Sequence, residues 1–142
     1  MKPVVATEAE NHPSPLVPYL CVKGAETAVA YYGIVFGGKE IERYQEEPGG
    51  PIGHVTLELC GAKLFMSDEF PSIGVLSPET IGGSSVTLHL SVDDVDDVTK
   101  LAVEGGAKLL REPANQPYGE RNSKFIDPFG HIWMIATQIG DQ

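Results

Sequence analysis

Cysteine is scarce in this chain: only Cys21 and Cys60 among 142 residues. No CxxC pair and no Cys/His spacing of a zinc site occurs. Both thiols fall in segments that read as strands, which suggests two buried thiols in a reducing compartment; a single Cys21–Cys60 disulfide is the alternative. Cationic residues are also few. Lys and Arg number 10 against 20 Asp and Glu, a formal net charge of −10. Such a surface repels phosphate backbones and anionic lipid, which excludes nucleic acid and membrane surfaces as expected partners, although one local arginine can still dominate a pocket. No apolar run approaches the ~20 residues that a bilayer crossing needs. The opening "MKPVVATEAENHPSP" has no apolar stretch of a secretory signal, so a cytoplasmic location is the expectation. No nucleophile motif, P-loop or dinucleotide fingerprint is present. "DDVDD" at 93–97 lacks the glycine and distal glutamate of a calcium loop; it reads as acids at the positive end of a helix.

Hydrophobic residues make up 42% of the chain, enough for a core. Residues 1–14 are polar and contain proline, the composition of a loose arm. "PLVPYLCVKG" then reads as a strand stopped at Gly24. In "AETAVAYYGIVFGG", Ala25, Ala28, Val29, Tyr32 and Val35 recur at helical spacing before a Gly-Gly stop. "KEIERYQEE" alternates as an edge strand would. "IGHVTLELC" places Val55, Leu57 and Leu59 on one face and His54, Thr56 and Glu58 on the other. "GAKLFMSD" is a fourth strand. Residues 69–84, "EFPSIGVLSPETIGGS", are a linker or a lid. The order then repeats: the strand "SVTLHLSV", the helix "DDVDDVTKLAVEGG", the strand "AKLLRE", the loop "PANQPYGER", and the strands "NSKFIDP" and "GHIWMIAT".

Two βαβββ modules result, at 15–68 and 85–142, within one domain of the α+β class. Val22 answers to Val92, "FGGKEI" to "EGGAKLL", and Gly61 before "AKLFM" to Gly130 before "HIWMI". This self-similarity marks an internal duplication. Placed edge to edge, the two sheets would curve and line a shared cleft with their mixed faces.

The segments "VPYLCVKGAETAVAYYGIVFGG", "GHVTLELCGAKLFMSDEFP", "GGSSVTLHLSVDDVDDV" and "YGERNSKFIDPFGHIWMIAT" resemble the vicinal oxygen chelate superfamily. That superfamily takes in glyoxalase I, extradiol dioxygenases and the bleomycin and fosfomycin resistance proteins; the likeness is greatest to its PhnB-like branch. The resemblance implies a glyoxalase-like fold, a U-shaped mixed sheet around a cleft, and a homodimer. It also implies divalent-metal ligands at set strand positions, which fall here on Val17, Phe65, Thr87 and Met134. Valine, phenylalanine and methionine offer such a metal no suitable donor, and a lone threonine is a poor one. No metal and no other cofactor is therefore expected at those positions.

Other residues carry the candidate chemistry. His54 and Glu58 share the mixed face of one strand and His89 that of another; were they to converge, they would form an acid/base group or a relocated metal site. Otherwise each is a hydrogen-bonding or solvent-facing side chain. "YGERNS" brings together Tyr118, Glu120 and Arg121. An arginine fork there would bind a carboxylate, phosphate or phosphonate, unless it is spent in a surface pair with Glu120. Tyr19, Phe65, Met66 and Trp133 would give the cleft an apolar wall, or else serve the core. His131, in "DPFGHIWMI", is out of phase with Met134 and reads as capping the turn or facing a dimer partner. The function that fits best is a protein binding a small apolar or anionic molecule in the cleft without the usual metal. The alternative is a lyase or isomerase of the glyoxalase type built on a relocated site.

Overall fold

A computed structural model describes residues 14–140. All but the last residue of the expected N-terminal arm lies outside them. The first module runs β1 (Tyr19–Val22), α1 (Ala25–Phe36), β2 (Lys39–Gln45), β3 (Ile52–Leu59) and β4 (Ala62–Asp68). The connector holds a 3-10 turn (Pro71–Ile73) and a single-turn helix, α2 (Pro78–Ile81). The second module repeats the order with β5 (Thr87–Ser91), α3 (Val95–Glu104), β6 (Lys108–Asn115), β7 (Glu120–Ile126) and β8 (Ile132–Gln138). Each module folds into a four-stranded mixed sheet, ordered β1-β4-β3-β2 and β5-β8-β7-β6. The first and last strands of each module pair parallel (Tyr19 with Phe65, His89 with Met134) and the remaining pairs are antiparallel. The βαβββ repeat and the α+β class thus stand as the sequence predicts.

Alternation decides the faces. Leu20, Val22, Val55, Leu57, Leu59, Leu64 and Met66 of the first sheet are buried in one cluster with Ala28, Tyr32, Val35 and Phe36 of α1. Leu90, Phe125, Trp133 and Ile135 of the second sheet join the same cluster. The two modules therefore share one core within a single chain. Aromatic contacts cross between them: Phe36 lies 4.6 Å from Trp133, and Tyr32 lies 5.7 Å from Trp133 and 6.0 Å from Phe129, centroid to centroid. The Tyr31 hydroxyl donates to the Ala102 carbonyl of α3 at 3.0 Å.

Each helix needs its first N–H groups satisfied. Asp94 caps α3 by accepting from Asp97 N at 3.0 Å. Gly24 has no side chain to cap α1; Asp68, from the end of β4, accepts from Ala25 N at 2.8 Å instead. Its second oxygen takes Ile52 N at 2.7 Å, which ties helix, β3 and β4 together.

The turn after β7 rests on a buried carboxylate. Asp127 accepts from the Tyr32 hydroxyl at 2.5 Å and Trp133 Nε1 at 2.8 Å, and from the backbone N–H of Phe129 and His131 at 2.9 and 3.0 Å. Asp127, rather than His131, closes this turn. Gly130 sits at φ 93°, and a Cβ there would fall 2.7 Å from Pro78 of the connector. Glycine is therefore required twice over, by its backbone angle and by the lack of space. His131 bridges the modules: its Nε2 lies 2.9 Å from the Cys21 carbonyl on β1.

Candidate functional site

The mixed face of the first sheet carries a cavity of about 730 Å³. Its floor is Tyr19, Cys21, Gly53 and Ser67, and its sides include Tyr44, Glu46 and Glu47. The connector supplies a wall of Phe70, Ile73 and Val75. That wall is held in place. Phe70 and Val75 exchange backbone hydrogen bonds of 2.8 and 3.1 Å. Glu69 Oε2 accepts from Ser77 N at 2.8 Å, Ser77 Oγ at 2.6 Å and Thr80 Oγ1 at 2.5 Å. Those donors, the Ser77 hydroxyl first, pull the Glu69 carboxyl down to a pKa of about 2, because they bond the charged form. Tyr19, Tyr44 and Ile73 line the cavity yet remain 55%, 60% and 76% exposed. Apolar surface thus converges there without a packing partner.

His54 stands beside this cavity. Its Nδ1 lies 3.0 Å from the Tyr19 hydroxyl and its Nε2 2.8 Å from Thr56 Oγ1. The Tyr19 hydroxyl donates to the Gly53 carbonyl at 3.2 Å. Whichever tautomer the ring adopts, one of its nitrogens donates and the other accepts in these two contacts. Phe65 packs edge-on against the imidazole, with centroids 4.8 Å apart. Both ring nitrogens are engaged, and neither offers a free lone pair to a metal.

The expected His54, Glu58, His89 cluster is not assembled. Glu58 is four residues from His54 along one strand, roughly 13 Å away at the rise of a β-strand, and it faces Lys39 and Lys63 in the register. His89 belongs to the other module, with Nε2 3.3 Å from Glu120 Oε2. Of the four positions where the superfamily resemblance puts metal ligands, Phe65 is taken up with Tyr19 and His54, and Met134 lies across from His89. Among the described residues no group of three or more His, Cys, Asp or Glu side chains could hold a metal ion. The usual cation does not fit these side chains.

Strand phase also relocates "YGERNS". Ser123 Oγ meets Thr99 Oγ1 of α3 at 2.7 Å, so the odd-numbered residues of β7 face the helix. Arg121 shares that side and is spent on Asp96 through bonds of 2.9 and 2.8 Å. Its partner is Asp96, not the adjacent Glu120, and it offers no fork to an anion in the cavity. Glu120 and Tyr118 lie instead in a network around the buried Asn122, whose Nδ2 donates to Glu120 Oε1 at 2.7 Å and to the Tyr118 hydroxyl at 3.1 Å. Arg111 Nη2 donates to Asn122 Oδ1 at 2.7 Å. Trp133 and Met66, expected on the cleft wall, are 2% and 0% exposed on the core side of their strands. Cys60 is exposed at the β3–β4 turn rather than buried in a strand, and neither it nor Cys21 is disulfide-bonded.

A second groove, of about 630 Å³, lies between the modules, with Leu16, Pro18 and Lys63 on one side and Thr87, Leu88 and His89 on the other. Several of its other walls, including Leu59, Leu64 and Leu90, are already satisfied in the core.

Residues 11–135 match the model of the Glyoxalase/Bleomycin resistance protein/Dioxygenase superfamily. The chain is 32% identical over 136 residues to the uncharacterized protein Rv0887c of Mycobacterium tuberculosis, covering 94% of this chain and 79% of that one. Its fold matches that of a gene product from Arabidopsis thaliana, AT5G48480, with a TM-score of 0.69, 26% identity and coverage of 87% and 98% of the two chains. It also matches a PhnB protein from Bacillus cereus, with a TM-score of 0.66, 16% identity and coverage of 87% and 99%. The protein therefore belongs to the glyoxalase/bleomycin resistance/dioxygenase superfamily, the vicinal oxygen chelate proteins. No helix among the described residues is long and apolar enough to cross a membrane.

Proposed function

We propose that this protein binds a small, largely apolar molecule in the cavity between the first sheet and the connector, without the divalent metal of catalytic relatives. One observation carries the reading: Tyr19, Tyr44 and Ile73, left exposed in the fold, converge with Phe70 and Val75 on one concave surface under a hydrogen-bonded wall. Anion binding loses its support, because Arg121 is tied to Asp96 on the other side of its sheet and no basic side chain among the described residues lines the cavity. A homodimer is part of the proposal, supported by the exposed Ile34, Ile41, Leu109 and Leu110. So is a cytoplasmic setting, supported by two unpaired cysteines, which suit a reducing compartment.

The test is NMR titration with 2-naphthylmethanol. The amides of Tyr19, Ser67, Phe70 and Val75 are expected to shift saturably. Tyr44→Ala and Ile73→Ala, at exposed positions, should each weaken binding by about 1 kcal/mol from lost apolar contact. Shifts confined to the groove beside Thr87 and Leu88 would contradict the assignment.

The alternative, a lyase or isomerase, has one observation behind it. The Tyr19 hydroxyl on the cavity floor is hydrogen-bonded to His54, a pair able to move a proton. Turnover of a carbonyl substrate lost on Tyr19→Phe and His54→Gln, with probe binding retained, would favour it.

A further inference from the structure

Resting on the cavity assignment above, we propose that the ligand is an organic cation with an apolar body, such as a protonated aromatic amine or a quaternary ammonium. The cavity itself is the site, and its lining sets the sign of charge. Among the described residues, Glu46 and Glu47 are the only charged side chains along it. Neither is neutralised by the salt bridges found there, which join Arg43 to Glu26 and Glu40, His89 to Glu120, and Arg121 to Asp96. Arg43, three residues before Glu46, points its guanidinium at Glu26 and Glu40, at 2.7 and 2.8 Å. Cys21 adds a thiol whose pKa burial pushes up to about 11, so it stays protonated and neutral at physiological pH.

Three aromatic rings, Tyr19, Tyr44 and Phe70, share the cavity with those two carboxylates. Ring faces attract a cation, and Ile73 and Val75 suit an apolar body. A neutral apolar molecule gains only the second part of this. A carboxylate or phosphate ligand meets two like charges and no basic side chain of the described residues to offset them. The chain carries a net charge of −10, and its field adds to the discrimination at low ionic strength.

Three probes with one ring system and different charge test this by titration calorimetry on the whole protein: 2-naphthylmethylammonium, 2-naphthylmethanol and 2-naphthoate. The expected order of affinity is ammonium, then alcohol, then carboxylate, with the gap narrowing as salt is raised. Replacing both rim carboxylates (Glu46→Gln with Glu47→Gln) should weaken the ammonium roughly three- to tenfold and leave the alcohol within about twofold, the scale of partly screened surface charges. A control pair in the second module, Glu104→Gln with Glu112→Gln, removes the same charge and should leave the rank order unchanged. Equal binding of ammonium and alcohol, or an ammonium affinity as sensitive to the control pair as to the rim pair, overturns the charge assignment and leaves the cavity reading intact. Absence of saturable binding by all three probes overturns the cavity reading itself.

Discussion

Asp127 ties the two modules together through one buried carboxylate. Its carboxylate collects two side-chain and two backbone donors from both modules, and it is 3% exposed. Asp127→Ala leaves the Tyr32 hydroxyl and the Trp133 indole N–H buried without an acceptor. Urea unfolding is expected to show a loss of about 3 kcal/mol or more for it, and about 1–3 kcal/mol for Tyr32→Phe, the cost of orphaned buried polar groups. Burial, with Asp127 next in effect, holds the hydroxyls of Tyr31 and Tyr32 well above a tyrosine's usual range. The folded chain thus keeps protons that the unfolded chain releases near pH 10, so stability is intact below about pH 10 and falls as pH rises past it. Tyr32→Phe should flatten that alkaline decline. "DPFG" is readable in the sequence as a turn, but nothing local announces that its aspartate reaches Tyr32, far away in the chain. Arg121 and Trp133 are a different case: strand alternation from Phe125 and Ile135 places both on the helix side, and that phase is present in the sequence once the strand boundaries are known.

At the scale of elements, the connector is the piece whose role the sequence leaves most open. Its proline, glycine and serine mark a break between modules without saying whether it hangs free or closes on something. The structure gives it a hydrogen-bonded clamp at Glu69 and an apolar side turned toward the first sheet. Glu69→Ala should speed amide exchange at Ser77 by roughly tenfold, as expected when a charge-assisted hydrogen bond is lost, and should weaken 2-naphthylmethanol binding while leaving global unfolding nearly unchanged. Its donors depress the Glu69 carboxyl to about 2. The clamp is therefore complete above the usual glutamate range and is lost as pH falls through that depressed value. Exchange at Ser77 that is the same in both proteins would show that the clamp does not hold the wall. The strands and the two long helices of the modules were legible: β3 and β5 alternate, and both helices stop at Gly-Gly pairs, Gly37-Gly38 and Gly105-Gly106. The second module's long loop was not: β6 continues through Pro113 to Asn115, because an edge strand tolerates a proline that an interior strand would not.

Across the whole molecule, duplication supplies two like modules and one core. Neither half buries its apolar side alone, since α1 packs through Phe36 and Tyr32 on Trp133 of the other sheet. Phe36→Ala should cost about 3–5 kcal/mol by urea unfolding, and a chain ending at residue 84 should lack cooperative unfolding. The superfamily's architecture persists here with side chains that do not suit its usual cation, and apolar surface gathers instead beneath the connector. Isotope-filtered NOE spectroscopy of the chelator-treated protein with 2-naphthylmethanol tests that claim most directly. Contacts from the probe to the methyl groups of Ile73 and Val75 and to the rings of Tyr19 and Tyr44 are predicted. Contacts to Leu16 and Leu88 instead, or binding that requires an added divalent ion, would contradict it.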